Sequence, residues 1–233
     1  ILPLLEAIDD HPQLRFYGVI HEATAAFMAS AQAKLTGALG VSVATSGPGT
    51  ANLLNGLMDA KKDRVPVLAL TGQVDSFNLD TEYKQAADQN LLLAPAVGYS
   101  GLVTNVDAVN AVLTKALRTA MAQGCPVHLA LTKDLWSKPT TEPIRPPEPY
   151  LNTKAQSSIE VIDGVLPLLN AAERPAILAG RGAVGFGPLL LDLAAQWESG
   201  IALTMSAKGV VPGAHPLVLG GLGPGGSEAS SRM

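Results

Sequence analysis

The sequence has one cysteine, Cys125, in 233 residues. That excludes an internal disulfide framework and fits a reducing compartment, so the expected location is the cytoplasm. Its four histidines, His11, His21, His128 and His215, are far apart and without ligand-like spacing, which argues against a structural zinc site. Charged residues make up 15% and aromatic residues 4%. The lysines and arginines are scattered and the net charge is −4, so the basic footprint of a nucleic-acid binder is missing. No apolar run approaches the roughly 18 residues of a membrane span, and no secretory signal opens the chain.

What the chain does have is 47% hydrophobic residues with 23 glycines and 17 prolines. This is ample material for buried strands joined by tight turns, and it favours an α/β protein over a helical bundle. Helical patterns are read over 1–10, 22–35, 50–62 and 106–123. The last carries Val109, Val112, Leu113, Leu117 and Met121 on one face. Strand patterns are read over 14–20, 40–46, 65–72 and 126–132. Alternation of this kind predicts βαβ units in a parallel sheet for residues 1–135. Residues 136–158 are proline-rich and aperiodic, a linker. A second α/β unit then begins, with helices over 159–171 and 188–198 and strands over 175–180 and 201–205. Two or three strands are few for such a domain, so 159–233 is expected to be a partial domain. The opening residues, helical where a strand would usually come first, suggest that a first strand precedes Ile1.

Three features point to a ligand pocket. Glu22 stands where a strand pattern gives way to a smooth helix; its plain reading is an acid favoured at a helix start by the helix dipole. Ser46-Gly47-Pro48-Gly49-Thr50 follows a buried strand, where ligands of open parallel sheets bind, with Asn52 three residues after Gly49. The plain reading of this stretch is a tight turn. The polar stretch from Gln73 to Gln89 is longer than a turn requires and could line a site or be a surface excursion. A fourth feature, Gly180-Arg181-Gly182-Ala183-Val184-Gly185, spells G-x-G-x-x-G after a strand and before a helix, with Glu198 downstream. This supports a rival reading as an NAD- or FAD-dependent oxidoreductase.

Taken in order, the run HEATAAFMASAQAKLTGALGVSVATSGPGTANLLNGLMDAKKDRVPVLALTGQV (21–74) resembles the pyrimidine-binding domain of thiamine-diphosphate enzymes of the pyruvate oxidase and acetolactate synthase kind. The resemblance covers roughly residues 10–135. The stretch from PAILAGRGA to KGVVPGAHPLVLGGLG looks like the opening of that family's Rossmann-like middle domain. The implied fold is a three-layer parallel-sheet pyrimidine-binding domain followed by an incomplete Rossmann-like middle domain.

The implied function is decarboxylation of a pyruvate-like 2-oxo acid, with oxidation or carboligation of the resulting enamine. The resemblance makes Glu22 the carboxyl group that meets a ring nitrogen of the cofactor, with a pKa raised by a pocket of low polarity. It places Gly47, Pro48, Gly49 and Asn52 along the aminopyrimidine, and Gln85 facing the substrate. Lys84 and Ala86 depart from the family's aromatic residue and glutamate on either side of that glutamine, which leaves the substrate contacts open. No Gly-Asp-Gly motif occurs, so the ligands of Mg2+ are expected in a further C-terminal domain and none is assigned here. FAD is bound by some relatives and not by others. A homodimer or homotetramer is implied, and the chain alone is expected to be inactive. A non-catalytic relative is the third reading.

Overall fold

The computed structural model describes residues 1–145 and 157–232; part of the expected linker, 146–156, lies outside the described residues. Contacts divide the chain into two compact units, Ile1–Ala155 and Gln156–Met233.

In the first unit the elements run α1 (Leu2–Asp9), α2 (Glu22–Thr36), β1 (Gly40–Ala44), α3 (Pro48–Lys62), β2 (Val67–Gln73), α4 (Gln89–Leu93), β3 (Tyr99–Val103), α5 (Val109–Gln123) and β4 (Pro126–Thr132). The four strands are all parallel in the order β1-β2-β4-β3, with Ala44 opposite Thr71 and Gln73 opposite Thr132 at the C-terminal ends. Successive residues of a strand point to opposite faces, and the core follows that alternation. Val67 and Ala69 of β2 join Ala26, Ala29 and Ala33 of α2 and Leu53, Leu57 and Ala60 of α3 in one cluster. Leu68 joins Val127 and Leu129 of β4 with Ala116 and Ala120 of α5 on the other face. Helices therefore cover both faces, giving three layers.

Local chemistry sets the element ends. His21 caps α2, its Nδ1 accepting from the Ala23 N–H at 3.1 Å, and Gly37 closes the helix in the left-handed region at φ 72°. The buried side of α2 is alanine and serine only, which lets α3 approach closely. The same crossing is tied at its rim by Lys34, which donates to Asp59 at 2.8 Å and also pairs with Asp63.

The strand expected over 14–20 does not form. Among the described residues no neighbour shares a ladder with this segment, and Leu14, Phe16, Tyr17 and Ile20 are exposed. A strand is defined by such partners, and among the described residues β1 pairs only with β2. Strand β3 and helix α4, by contrast, lie in the region that hydropathy left unassigned.

The second unit carries α6 (Ile159–Asn170), β5 (Ala176–Ala179), α7 (Gly187–Gln196), β6 (Gly200–Leu203), β7 (Val218–Gly221) and α8 (Glu228–Ser231). Its strands are parallel in the order β5-β6-β7. Ile201 and Leu203 pack with Ala179, Ala194, Ala207 and Val211 in a small core. No described helix in either unit is long and apolar enough to cross a membrane.

Candidate functional site

Parallel strands deliver their C-terminal ends to one edge of a sheet, where ligands of such folds bind. Here that edge carries Ser46 and Gly47 after β1, Gln73 at the end of β2 with Val74 after it, and Lys133 after β4. Two hollows open along it. One, of about 380 Å³, runs between Gln73, Leu79, Ala86, Gln89 and Ala130. The other, of about 270 Å³, lies between Ser46, Gly72, Lys84, Gln85 and Lys133.

The turn from β1 into α3 is where the sequence expectations converge. Gly47 has φ 64°, which favours glycine, and a Cβ there would lie 3.0 Å from the Gln85 carbonyl oxygen. Pro48 opens α3, where its missing N–H costs no helical bond. At Gly49 a Cβ would lie 2.9 Å from Thr45 Cγ2 and 3.3 Å from Glu22 Oε1. Only a residue without a side chain leaves room beside that carboxylate. Asn52 Nδ2 donates to Glu22 Oε2 at 3.0 Å. Glu22, Gly49 and Asn52 thus form one group.

Gln85 meets the same turn from its other side. It adopts φ 64°, a conformation rarely taken outside glycine, asparagine and aspartate. It lies in the wall of the smaller hollow with Lys84. Gln85 lies against Gly47 and Glu22 against Gly49, at two positions of the same turn.

The raised pKa expected of Glu22 is not there. The Asn52 amide, then the residue's own N–H at the helix start, hold its carboxyl below the usual range, against a smaller opposing effect of burial. The side chain is only half-buried, so the chain does not itself supply the apolar enclosure that would raise it.

The sequence reading missed a buried polar network behind the turn. Thr71, His128 and Ser100 stand on β2, β4 and β3, with His128 directly opposite Ser100 in register. His128 is fully buried; its Nε2 lies 2.8 Å from Thr71 Oγ1 and its Nδ1 2.7 Å from Ser100 Oγ. Burial pushes its pKa down to about 4, so the ring is neutral at pH 7. Gln89 on α4 is buried with them, its amide donating to the Gly72 carbonyl at 2.9 Å and its oxygen facing the hydroxyls of Thr50 and Thr71. Sequence spacing could not reveal this cluster, since its members come from five elements. The one available hint is a histidine inside the otherwise apolar strand 126–132.

The glycine motif of the second unit is not joined by the acid that the sequence reading paired with it. Gly182 and Gly185 face open space, whereas the close approach belongs to Gly187, where a Cβ would lie 2.2 Å from the Val210 oxygen. Glu198 precedes β6, at the opposite end of the sheet from the Gly180 turn. The ribose-binding acid of such sites belongs at the same end as the glycines. Among the described residues, no group of three or more His, Cys, Asp or Glu side chains is placed to hold a metal ion.

Comparison with known proteins agrees with the architecture. Residues 1–92 match the thiamine pyrophosphate enzyme N-terminal TPP binding domain, and residues 162–233 match the thiamine pyrophosphate enzyme central domain. The chain is 36% identical to the protein YdaP of Bacillus subtilis (strain 168) over 217 residues, 93% of the chain and 38% of that protein. It is 30% identical to the acetolactate synthase isozyme 1 large subunit of Escherichia coli (strain K12) over 232 residues, 99% of the chain and 41% of the relative. It is 31% identical to the pyruvate oxidase of Lactiplantibacillus plantarum over 214 residues, 91% of the chain and 36% of the relative. The chain therefore spans about two fifths of the length of the curated relatives it matches. With a parallel three-layer unit first and a smaller parallel unit after it, each matched by its own domain model, the chain belongs to the thiamine pyrophosphate enzyme family.

Proposed function

We propose that this chain supplies the pyrimidine-side half of a thiamine-diphosphate site in an enzyme that decarboxylates a 2-oxo acid and then oxidises or ligates the product. The observation that carries the reading is the group formed by Glu22, Gly49 and Asn52. A carboxylate with one oxygen tied to Asn52 leaves the other beside a gap that only glycine keeps open. A flat ring with an N–H edge fits such a gap, and the carboxylate would accept its hydrogen bond. When bound, the cofactor supplies the nucleophilic carbon and electron sink of the reaction.

In this reading Glu22 holds or releases one proton at the ring edge. Asn52 fixes the orientation of the carboxylate. Gly47, Pro48 and Gly49 hold the ring's position, and Gln85 faces the substrate from the smaller hollow. Enclosure of Glu22 by the bound ring and by further protein would raise its pKa from the lowered value it has in this chain. Mg2+ and the diphosphate are assigned to protein outside these residues, and FAD to the second unit only if the complete protein is yellow. A homodimer or homotetramer in the cytoplasm is part of the same proposal.

The test is Glu22→Gln in the complete protein. Turnover of pyruvate should fall by roughly a hundredfold or more, the scale of a lost proton-transfer group. Unchanged turnover would remove Glu22 from the chemistry.

A further inference from the structure

The buried network behind the turn has a determinate order of protons, and that order assigns a role. Gln89 is the fixed point. Its amide nitrogen donates to the Gly72 carbonyl, so its oxygen must be the group that faces Thr50 and Thr71. An amide oxygen only accepts. Thr71 Oγ1 is in close contact with that oxygen, and two oxygens so near need a proton between them. Thr71 has a single hydroxyl proton, and it therefore goes to Gln89.

The consequence passes to His128. With its proton committed, Thr71 can only accept from the ring, so Nε2 carries the hydrogen across the 2.8 Å contact. A neutral imidazole has one N–H, so Nδ1 is bare and accepts from Ser100 at 2.7 Å. Ser100 Oγ stands 2.7 Å from Asn90 Oδ1; with the Ser100 proton given to Nδ1, this proton order requires the Asn90 amide turned over, so that its NH2 group takes that place and donates to Ser100. The opposite tautomer would leave Thr71 and Gln89 facing each other, oxygen to oxygen, with nothing shared. On the other side of Gln89, the Thr50 hydroxyl lies 3.0 Å from both Gln89 Oε1 and the Thr45 carbonyl, and its one proton is shared between these two acceptors. Thr50 follows Gly49 directly in the first turn of α3.

We propose that His128 is a positioning residue, protonated at Nε2, which through Thr71, Gln89 and Thr50 locks Gly49 against Glu22 and so sets the gap for the pyrimidine ring. The inference rests on the reading of Glu22, Gly49 and Asn52 given above. It goes beyond that reading by assigning function to side chains that touch neither cofactor nor substrate. A network used only for core stability would show no dependence of ring binding on the direction of its hydrogen bonds.

The test uses the complete protein, which holds the diphosphate side of the site as well. Two-bond proton–nitrogen spectra of His128 should show Nε2 protonated and Nδ1 bare at pH 7; the reverse overturns the proton order. Titration with thiamine diphosphate, read on the amides of Gly47, Gly49 and Thr50, should give an affinity about tenfold weaker in Thr71→Val, the size of one lost hydrogen bond. Thr71→Ser, which keeps the hydroxyl, should restore it. Equal affinity in wild type and a folded Thr71→Val overturns the positioning role. If those amides ignore the cofactor even in wild type, the functional reading fails and the positioning role with it, while the tautomer still decides the proton order by itself.

Discussion

Gly56 offers the most quantitative prediction. It lies buried in the middle of α3, where α2 crosses. A methyl group there would sit 2.5 Å from Ala26 Cβ, 2.7 Å from the Phe27 nitrogen and 2.8 Å from the Ala26 carbonyl carbon. Ordinary contact begins near 3.4 Å, so the helices must part by roughly 1 Å to admit it. Two of the three atoms struck are main chain, and no side-chain rotation relieves them. Overpacking of this kind costs about 3 kcal/mol at its upper end. Alanine returns about 1 kcal/mol through its better helix propensity, so Gly56→Ala should lose about 2 kcal/mol. With a urea dependence of about 2 kcal/mol per molar, the unfolding midpoint should fall by roughly 1 M. Trp136 reports on the first unit, and Trp197→Phe as background removes the emission of the second. Gly164→Ala is the control. It stands in α6 with nothing within 4 Å of a new Cβ, and should gain up to about 1 kcal/mol in the second unit. A Gly56→Ala variant as stable as wild type would refute the close α2–α3 approach. It would also undercut the site, because Glu22 and Asn52 ride on those two helices.

Other outcomes follow from the charges. The folded pKa of Glu22 lies below its unfolded value, so its stabilisation is present above the unfolded carboxylate range and lost as pH falls through the folded value. Glu22→Gln should therefore flatten the acid limb of a melting-temperature profile and change stability at pH 7 by less than about 1 kcal/mol. His128 is depressed from 6.5 to about 4; its contribution is complete above pH 6.5 and declines toward pH 4, a loss of about 3 kcal/mol that His128→Phe should remove from the pH profile. Asp134 accepts from the Ser76 N–H at 2.8 Å and from Lys138 at 2.6 Å, which holds its carboxyl well below the usual range. Asp134→Ala should cost about 1–2 kcal/mol in urea unfolding. Finally, pyruvate, thiamine diphosphate and magnesium added to this chain should give no carbon dioxide; turnover would show that the residues here suffice.

The hydrophobic pattern carried the regular elements well. Strand 126–132 and the helices at 22, 109 and 159 start or end within a few residues of their expected limits, because each has a strong period and a definite stop such as Gly37 or Gly124. The segment 14–20 failed for a tertiary reason: its residues suit a strand, but a ladder depends on a neighbour, and the sequence of one segment does not contain its neighbour. Strand β3 was illegible because Tyr99-Ser100-Gly101 breaks the apolar run and places a serine where the network requires one. The turn around Gly47 and its company with Glu22 were readable because several motif positions occur in fixed order. Gln89 and His128 were not, since nothing in their spacing brings them together.

The two hollows at the strand ends have a party wall. Gln73 and Val74 face both, and the Gln73 side chain braces that partition by donating to Ala87 at 2.8 Å while accepting from Val74 at 2.9 Å. Enlarging one chamber by shaving this partition would reshape the other as well. Any lineage that traded one guest molecule for a bulkier one could hardly remodel these rooms independently, and compensating changes would be sought first among the neighbours of Ala87.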